Sequence, residues 1–559
     1  MSWRLAAMLA VISLIVWPTA ASAESGGDRL GAIKHIVVVY EENHSFDNLY
    51  GGWEGVNGRA NADAAHTSQI GQGTSTTPGT PYTCLLQNDV NLTSPPQPAD
   101  CADTTTATTF TSHFPNDPFG IEAFIPKDAR TCPQPGVFAP NGLPPSDSNL
   151  PGGCTRDIVH RFYQEQYQLN NGQQNRYTTG SDAVGLTQGY YSSTTLPIYA
   201  YLHGDGAPHY AIADDFFQSA FGGSFLNHQW LVAAASPTWS GAPATQHSII
   251  DSNGMPNNYA LYHATGTVRD GALTQVCPSA VPGRACGDYA VNTIQPTYQP
   301  TSSNPIKLPP QTGATIGDEL SAAGVSWAWY SGGWSNADGD AGAPGWTNGS
   351  GTTCADPDST PNPVFPYCPN KVFQFHHQPL NYYASFAPNT PGRTHLRDEA
   401  EFNQLVGSSA KSCQLNSVSF VKPVGLENEH PGYTSESRGS DHLVNLLKAI
   451  DNSSCRKDTM VVVTYDEFGG QWDHAVPPGQ GGTAGAHDLW GPGTRIPALI
   501  VSPFLHGNFV VDHTQYDTTS ILATIEHRFG LAALSRRDAA VNDLGSVFTA
   551  ESPFDEGGG

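Results

Sequence analysis

Two short runs of β-branched apolar residues, each followed at once by acidic residues, restrict the fold of this 559-residue chain more than any other feature. Residues 35–40 read HIVVVY and precede a Glu-Glu pair, and residues 460–465 read MVVVTY and precede an Asp-Glu pair. Continuous apolar runs of this length are typical of strands that are buried on both faces of a parallel sheet. Residues 325–330, 418–424 and 498–502 are further strand candidates.

Helices and long polar segments separate these strand candidates. Residues 440–450 and 518–529 each place apolar side chains on one helical stripe, and Asp517 or Thr518 could cap the second helix. The stretches 55–120, 130–155 and 270–370 are rich in Gly, Pro, Thr and Asn. No shift in composition marks a domain boundary. We therefore predict an α/β fold, with a largely parallel central sheet flanked by helices, in which residues 24–559 form one domain with long loop insertions.

The N-terminus has the pattern of a secretion signal. Arg4 precedes an apolar run over residues 5–17, and Ala21-Ser22-Ala23 is a small-x-small cleavage site. The run is shorter than the ~20 residues that cross a bilayer. We predict that residues 1–23 are a signal peptide and that the product is exported, to the periplasm or the medium, without a stable membrane anchor.

Ten cysteines follow this signal, and none has the CxxC spacing of a zinc site. Because exported proteins meet oxidising conditions, we expect disulfides that staple the loop insertions. Connectivity is open from sequence alone, but pairing of neighbours closes the shortest loops. That simplest pattern is 84–101, 132–154, 277–286, 354–368 and 413–455.

The net charge limits the partners. The chain carries 25 basic and 50 acidic residues, for a formal charge of −25. Proteins that bind the phosphate backbone rely on clustered Lys and Arg, so the charge argues against a nucleic-acid partner.

The acidic clusters point to a metal. In open α/β sheets a site lies beyond the carboxyl ends of the strands, and neighbouring parallel strands would bring both clusters together there. Convergent carboxylates repel one another unless a cation lies between them. The pattern thus predicts a divalent ion bound by oxygen ligands. Its identity is open, because hard oxygen ligands suit Ca²⁺, Mg²⁺ or Mn²⁺ without excluding zinc or iron.

Two longer motifs around these clusters carry a family resemblance. Lys34 to Gly51 (KHIVVVYEENHSFDNLYG) and Thr464 to Pro478 (TYDEFGGQWDHAVPP) resemble the two signatures of the bacterial phosphoesterase family. That family unites secreted acid phosphatases and phospholipases C, and its fold is similar to that of the alkaline phosphatase superfamily. The resemblance implies an alkaline phosphatase-like sheet and hydrolysis of phosphoric esters.

The resemblance also assigns a site. Glu42, Asn43, Asp466 and Glu467 match the ligands of one divalent ion, although some relatives have two aspartates where this chain has Asp466-Glu467. Ser224, within FGGSFLN, matches the nucleophile that would also contact the metal. A metal-bound serine hydroxyl is a stronger nucleophile, and a phosphoserine intermediate would follow.

Several further polar residues match family positions around the phosphate. Histidines there could donate hydrogen bonds to phosphoryl oxygens and protonate the leaving alcohol. The residues expected to act catalytically are His160, His377 and His430. Those expected to contact the substrate or its immediate surroundings are Asn227, His376 and His474.

Two sequence features favour a secreted acid phosphatase acting on phosphate monoesters. The nucleophile segment reads Gly-Gly-Ser, whereas phospholipase-type members resemble Gly-Pro-Thr there, and about 30 residues after Phe529 leave no room for an extra C-terminal module. The alternative enzyme is a phospholipase C that cleaves phosphatidylcholine-like lipids, so the partner is a small phosphate ester or a phospholipid head group. A third alternative, a non-catalytic secreted binding protein, predicts loss of a ligand or nucleophile, and neither is lost.

Overall fold

The computed structural model describes residues 26–71, 79–83, 85, 102–103, 110–111, 115–123, 126–128, 158–181, 187–249, 274–276, 283–291, 307–347, 373–431, 434–550 and 552–553. The strands, in chain order, are β1 (His35–Glu41), β2 (Ala102–Asp103), β3 (Phe110–Thr111), β4 (Phe119–Gly120), β5 (Gly189–Tyr190), β6 (Tyr210–Ala213), β7 (Phe216–Phe217), β8 (His247–Ile249), β9 (Thr274–Val276), β10 (Trp327–Ser331), β11 (Leu396–Arg397), β12 (Val418–Lys422), β13 (Thr459–Tyr465), β14 (Ala498–Val501), β15 (Phe509–Asp512) and β16 (Tyr516–Asp517).

Eight of these strands form the central sheet, in the order β11-β10-β12-β1-β13-β14-β6-β15. Neighbouring strands are parallel except at β14, which is antiparallel to both β13 and β6. The two strands of the acidic motifs, β1 and β13, lie side by side and parallel at the centre. This arrangement confirms the predicted α/β class with a largely parallel sheet.

The central strands are covered on both faces. Every residue of β13, and every residue of β1 after His35, is buried. Because successive side chains of a strand point to opposite faces, complete burial requires cover on both sides. The hydrophobic runs that predicted these strands therefore reflect their central position in the sheet.

Eleven α-helices lie within the described residues: α1 (Gly26–Ala32), α2 (Phe46–Leu49), α3 (Ala64–Thr67), α4 (Phe162–Leu169), α5 (Pro197–Leu202), α6 (Ser224–Ala233), α7 (Ile316–Ala322), α8 (Trp334–Asp338), α9 (Glu399–Ser408), α10 (Glu436–Asp451) and α11 (Thr519–Phe529). The predicted stripe of α10 is buried at Leu443, Leu446, Leu447 and Ile450. At the start of α11, the Asp517 carboxylate accepts a hydrogen bond from the backbone N–H of Thr519. None of the described helices is long and apolar enough to cross a membrane.

Of the five expected disulfides, one lies between described residues. Cys413 and Cys455 are bonded, as the pairing of neighbours predicts, and join the segment after α9 to a short 3₁₀ helix, Ser454–Lys457. Cys286 is also disulfide-bonded. The other expected pairs and the predicted signal, residues 1–23, involve residues outside the described ranges.

Candidate active site

The acidic pairs of the two motifs meet at the carboxyl edge of the sheet. Strands β1 and β13 stay in register to their last residues, where Glu41 lies opposite Tyr465. The next residues are therefore neighbours, and the backbone N–H of Asn43 donates a hydrogen bond to Asp466 Oδ1 over 3.2 Å. Glu42, Asp466 and Glu467 are each at most 1% exposed. Three buried carboxylates thus lie together, as the strand-end argument predicts.

Ser224 joins this cluster from the other side. It is the first residue of α6, and its Oγ lies 3.4 Å from Asn43 Oδ1 and 3.4 Å from Glu467 Oε1. Oxygens bound to one Mg²⁺ or Ca²⁺ at about 2.1–2.4 Å and at right angles lie roughly 3.0–3.4 Å apart. The spacing of these three oxygens therefore fits ligands of a single hard cation.

The electrostatics of the carboxylates also fit a cation. Burial and the neighbouring Glu42 raise the pKa of Asp466 to about 7. Asp466 Oδ2 is buried without a hydrogen-bond donor from the described part of the chain. Ligand atoms of Glu42, Asp466 and His228 all lie within 4.8 Å of one another. A divalent ion would supply positive charge beside the unpartnered Asp466 Oδ2, so the residues present fit a metal.

The loop before Ser224 is fixed by backbone constraints. Gly222 has φ 93°, and a Cβ there would lie 2.5 Å from the backbone N of Phe162. Only glycine combines this conformation with so close an approach. The buried carboxyl group of Glu165 accepts hydrogen bonds from the backbone N–H of Gly222 and of Thr494. These contacts hold the serine at the N-terminus of its helix.

Asn227, expected near the substrate, directs its polar atoms at this same loop. Its Oδ1 accepts a hydrogen bond from the Ala220 backbone N–H over 3.0 Å, and its Nδ2 donates to the carbonyl oxygens of Ala220 and Gly222. It is completely buried. In this structure Asn227 stabilises the nucleophile loop.

Three of the predicted histidines contact the carboxylate cluster. His160 Nε2 lies 3.4 Å from Glu467 Oε1, and His430 Nε2 lies 3.5 Å from Glu42 Oε2. The His377 ring contacts Glu42 Oε1 through Nε2, and burial lowers the pKa of the ring. The His377 backbone is held by Trp329, whose Nε1 donates to its carbonyl oxygen over 2.7 Å.

The residues of the cluster fall into two groups that differ in solvent exposure. Four residues keep 3% or 5% of their surface exposed: Ser224, His160, His376 and His430. Asp466, Glu467 and His377 are completely buried. The first group therefore keeps a slight solvent exposure that the second group lacks. His376 packs edge-on against the ring of His377, with ring centroids 4.8 Å apart.

His474 lies in a separate buried network. Its Nδ1 contacts Asp47 Oδ2 over 2.6 Å, and its Nε2 faces Asn57 Oδ1 over 3.1 Å. Arg495, itself completely buried, contacts Asp47 at 3.3 Å and Asp473 at 3.0 Å. Burial opposes ionisation of Asp47, but His474 and Arg495 hold its pKa below the usual range. The network ties the loop after β1 to the loop after β13.

Two cluster residues were missed by the sequence argument. Lys422, the last residue of β12, is completely buried and lies 3.0 Å from Glu42 Oε1. His228, one helical turn after Ser224, contacts the Ser224 carbonyl oxygen through Nδ1 over 2.8 Å. Burial lowers the pKa of His228 well below its usual value, so its ring is neutral. The position of Lys422 at the end of a third central strand was the available signal.

Comparison with known proteins identifies the family. The model of the Phosphoesterase family matches residues 33–532. The chain belongs to the phosphoesterase family. Among curated relatives, phospholipase C A of Mycobacterium tuberculosis is 23% identical over 558 residues, which cover 94% of this chain and 79% of the relative. Phospholipase C B of the same organism is 32% identical over 170 residues, or 26% of this chain and 32% of that protein, so this match spans about a third of the relative's length.

One solved structure, a protein in the alkaline phosphatase superfamily from Vibrio parahaemolyticus, is 10% identical and covers 74% of this chain and 76% of its own, at a TM-score of 0.26. The phosphoesterase assignment rests on the family model. The family and its relatives support the expected enzyme class, a phosphoric-ester hydrolase. The predicted family membership is confirmed.

Proposed function

We propose that this phosphoesterase hydrolyses phosphoric esters by attack of Ser224 Oγ on phosphorus, beside one divalent ion held by Glu42, Asn43, Ser224, Asp466 and Glu467. The observation that carries this proposal is the convergence of Ser224 Oγ with Asn43 Oδ1 and Glu467 Oε1, each 3.4 Å away, at the carboxyl edge of the sheet. A free serine hydroxyl is a weak nucleophile near neutral pH and needs activation. When bound, the ion would lower the hydroxyl pKa and polarise the phosphoryl oxygen.

The residues of the chain would divide the remaining work. In the first step the Ser224 Oγ–P bond forms and the bond from phosphorus to the ester oxygen breaks; the serine hydroxyl gives up its proton and the leaving alcohol takes one up, so the proton count is unchanged. In the second step water adds its hydroxyl to phosphorus and its other proton restores the Ser224 hydroxyl, which releases phosphate. The N-terminus of α6 directs backbone N–H groups toward the anion, which favours its binding.

Three largely buried histidines suit substrate contact. We assign His160, His376 and His430 to the phosphoryl oxygens and to proton donation to the leaving alcohol, because they keep a small exposed fraction, as Ser224 does. His377 was the expected catalytic member of its pair. Its complete burial against Glu42 supports a role in positioning that carboxylate, with His376 facing the substrate.

The substrate we propose is a phosphate monoester. The Gly-Gly-Ser sequence at residues 222–224 favours the phosphatase branch of the family. A phosphodiester is the second candidate, because the relatives reported above are named phospholipases C. We further propose that residues 24–559 form one catalytic domain and that the N-terminal signal directs its export.

Paired assays separate the two substrates. The mature protein is tested with p-nitrophenyl phosphate and with p-nitrophenyl phosphorylcholine between pH 5 and 8, each with Ser224→Ala as the blank. Monoester turnover that is lost in the variant supports the proposed phosphatase. Diester turnover with little monoester cleavage would replace it with a phospholipase C, and full activity of Ser224→Ala would refute the serine mechanism.

A further inference from the structure

Lys422 is an unusual residue for the interior of a sheet. Its ammonium lies 3.0 Å from Glu42 Oε1 and donates to the carbonyl oxygen of Glu41 over 3.0 Å. It also lies 5.3 Å from the ring centroid of Tyr40. Its side chain is completely buried. Burial of an ammonium costs free energy unless the charge is paired. Glu42 and the carbonyl oxygen of Glu41 supply the partners of Lys422.

The position of Lys422 follows from the register of the sheet. Strands β12 and β1 are parallel, with Val421 opposite Val39, so Lys422 ends its strand beside the start of the first acidic motif. The contact with Glu42 is therefore made by the last residue of β12 with the residue that directly follows the end of β1.

The charges of the site balance with one divalent ion. Glu42, Asp466 and Glu467 would carry three negative charges when ionised. One divalent ion and the Lys422 ammonium carry three positive charges. A second divalent ion would leave the buried cluster with two excess positive charges when Lys422 is present and with one when its charge is removed, so the ammonium makes a second ion more costly in this low-dielectric site.

A second group of possible ligands makes this balance testable. Atoms of Glu42, His376 and His377 also lie within 4.8 Å of one another, and all three residues are buried. Both Lys422 and His377 approach the same oxygen of Glu42, Oε1. An ion bound by these three residues would therefore compete with the Lys422 ammonium for that oxygen. Oε2 is the oxygen that an ion near Asp466 could use without displacing Lys422.

We propose that the Lys422 ammonium acts as a built-in second cation, which positions Glu42 and restricts the carboxylate cluster to one divalent ion. The inference rests on the proposed metal site and names a positioning residue for it. It predicts a change in metal count when the charge is removed, which a purely structural role for Lys422 does not.

Metal counting tests the proposal. The full mature chain is stripped with a chelator, dialysed to equilibrium against Mn²⁺ alone, and analysed for bound metal by mass spectrometry. The test variant is Lys422→Met, which keeps the side-chain length and removes the charge. The matched control is Lys34→Met, which removes an exposed ammonium paired with Asp458 at the opposite edge of the sheet. Lys422→Arg keeps the positive charge.

We expect one Mn²⁺ per chain in the wild type, Lys34→Met and Lys422→Arg, and two in Lys422→Met. Added Mn²⁺ should also raise the melting temperature of Lys422→Met by more than it raises that of the wild type. Lys422→Gln, which can still donate to the Glu41 carbonyl, replaces Lys422→Met if the latter does not fold. Two ions in the wild type, or one ion bound with wild-type affinity in the uncharged variants, would overturn the proposal.

The number of bound Mn²⁺ ions is measured independently of ester hydrolysis. A wild type that binds one Mn²⁺ but cleaves no ester would refute the proposed function and leave this inference standing. A wild type that binds no Mn²⁺ yet hydrolyses esters through Ser224 would refute this inference and the proposed metal site, and would leave the serine hydrolysis standing.

Discussion

Removal of the Arg495 charge should destabilise the protein far more than removal of a surface charge. Arg495 is completely buried and contacts the carboxylates of Asp47 and Asp473. Its Nη1 donates to the backbone carbonyl oxygens of Asn57 over 2.6 Å and of Asp214 over 2.7 Å. Removing one partner of a buried ion pair costs about 3–5 kcal/mol, because the remaining charge is left unpaired. We expect Arg495→Met to lower the free energy of unfolding by about that amount.

The control is Arg397→Met. Arg397 pairs with Glu401 one turn along the chain, and its side chain is 34% exposed. A pair of this kind contributes only about 0.3–0.5 kcal/mol. Both variants are compared with the wild type by urea denaturation at pH 7. Turnover of Arg495→Met should also fall, since Asp47, in α2, and Asp473 closely follow the two segments that carry the proposed metal ligands. A loss of less than about 1 kcal/mol in Arg495→Met would refute this account of the network.

Four further outcomes are expected. Gly222→Ala should lower both melting temperature and turnover. A left-handed backbone costs a non-glycine residue roughly 1–2 kcal/mol, and the new Cβ would meet the backbone of Phe162. An unchanged melting temperature would contradict this prediction. Burial raises the pKa of Glu165 from 4.5 to about 8, so the folded state keeps a proton that the unfolded state loses. Stability should therefore fall by up to about 1.4 kcal/mol per pH unit as the pH rises between these values, and urea denaturation of Glu165→Gln should lack that slope. His376→Gln should lower kcat by about 10²–10⁴-fold and keep its Mn²⁺ affinity. His377→Gln should instead weaken Mn²⁺ binding, measured by calorimetry. The reverse pattern would make His377 the substrate-facing histidine. Chelation should abolish turnover, and one equivalent of a divalent ion should restore it.

The sequence predicts the centre of the sheet better than its outer part. The runs that form β1 and β13 are long, apolar and followed by acids, so their burial and their common edge follow from strand geometry. Strands β6 and β15 are four residues each and were not predicted. The antiparallel direction of β14 was also not predicted, because a hydrophobic run carries no information on strand direction.

The candidate site was also predicted only in part from the sequence. Glu42, Asn43, Asp466 and Ser224 come together as expected, since each lies in or beside a motif at the end of a strand or the start of a helix. Lys422 was missed because a single charged residue after an apolar run has many possible surroundings. The role of Lys422 depends on which strand lies next to β12, and tertiary structure decides that order.

Direct detection of the covalent intermediate tests the central claim most closely. The mature protein, loaded with Mn²⁺ and mixed with excess p-nitrophenyl phosphate, is quenched in acid within one turnover, digested and analysed by mass spectrometry. We expect a phosphoryl group on the peptide that contains Ser224, absent from Ser224→Ala and from the metal-free protein. Steady turnover with no modified Ser224 peptide at any quench time, or a phosphoryl group on another residue, would contradict the serine mechanism.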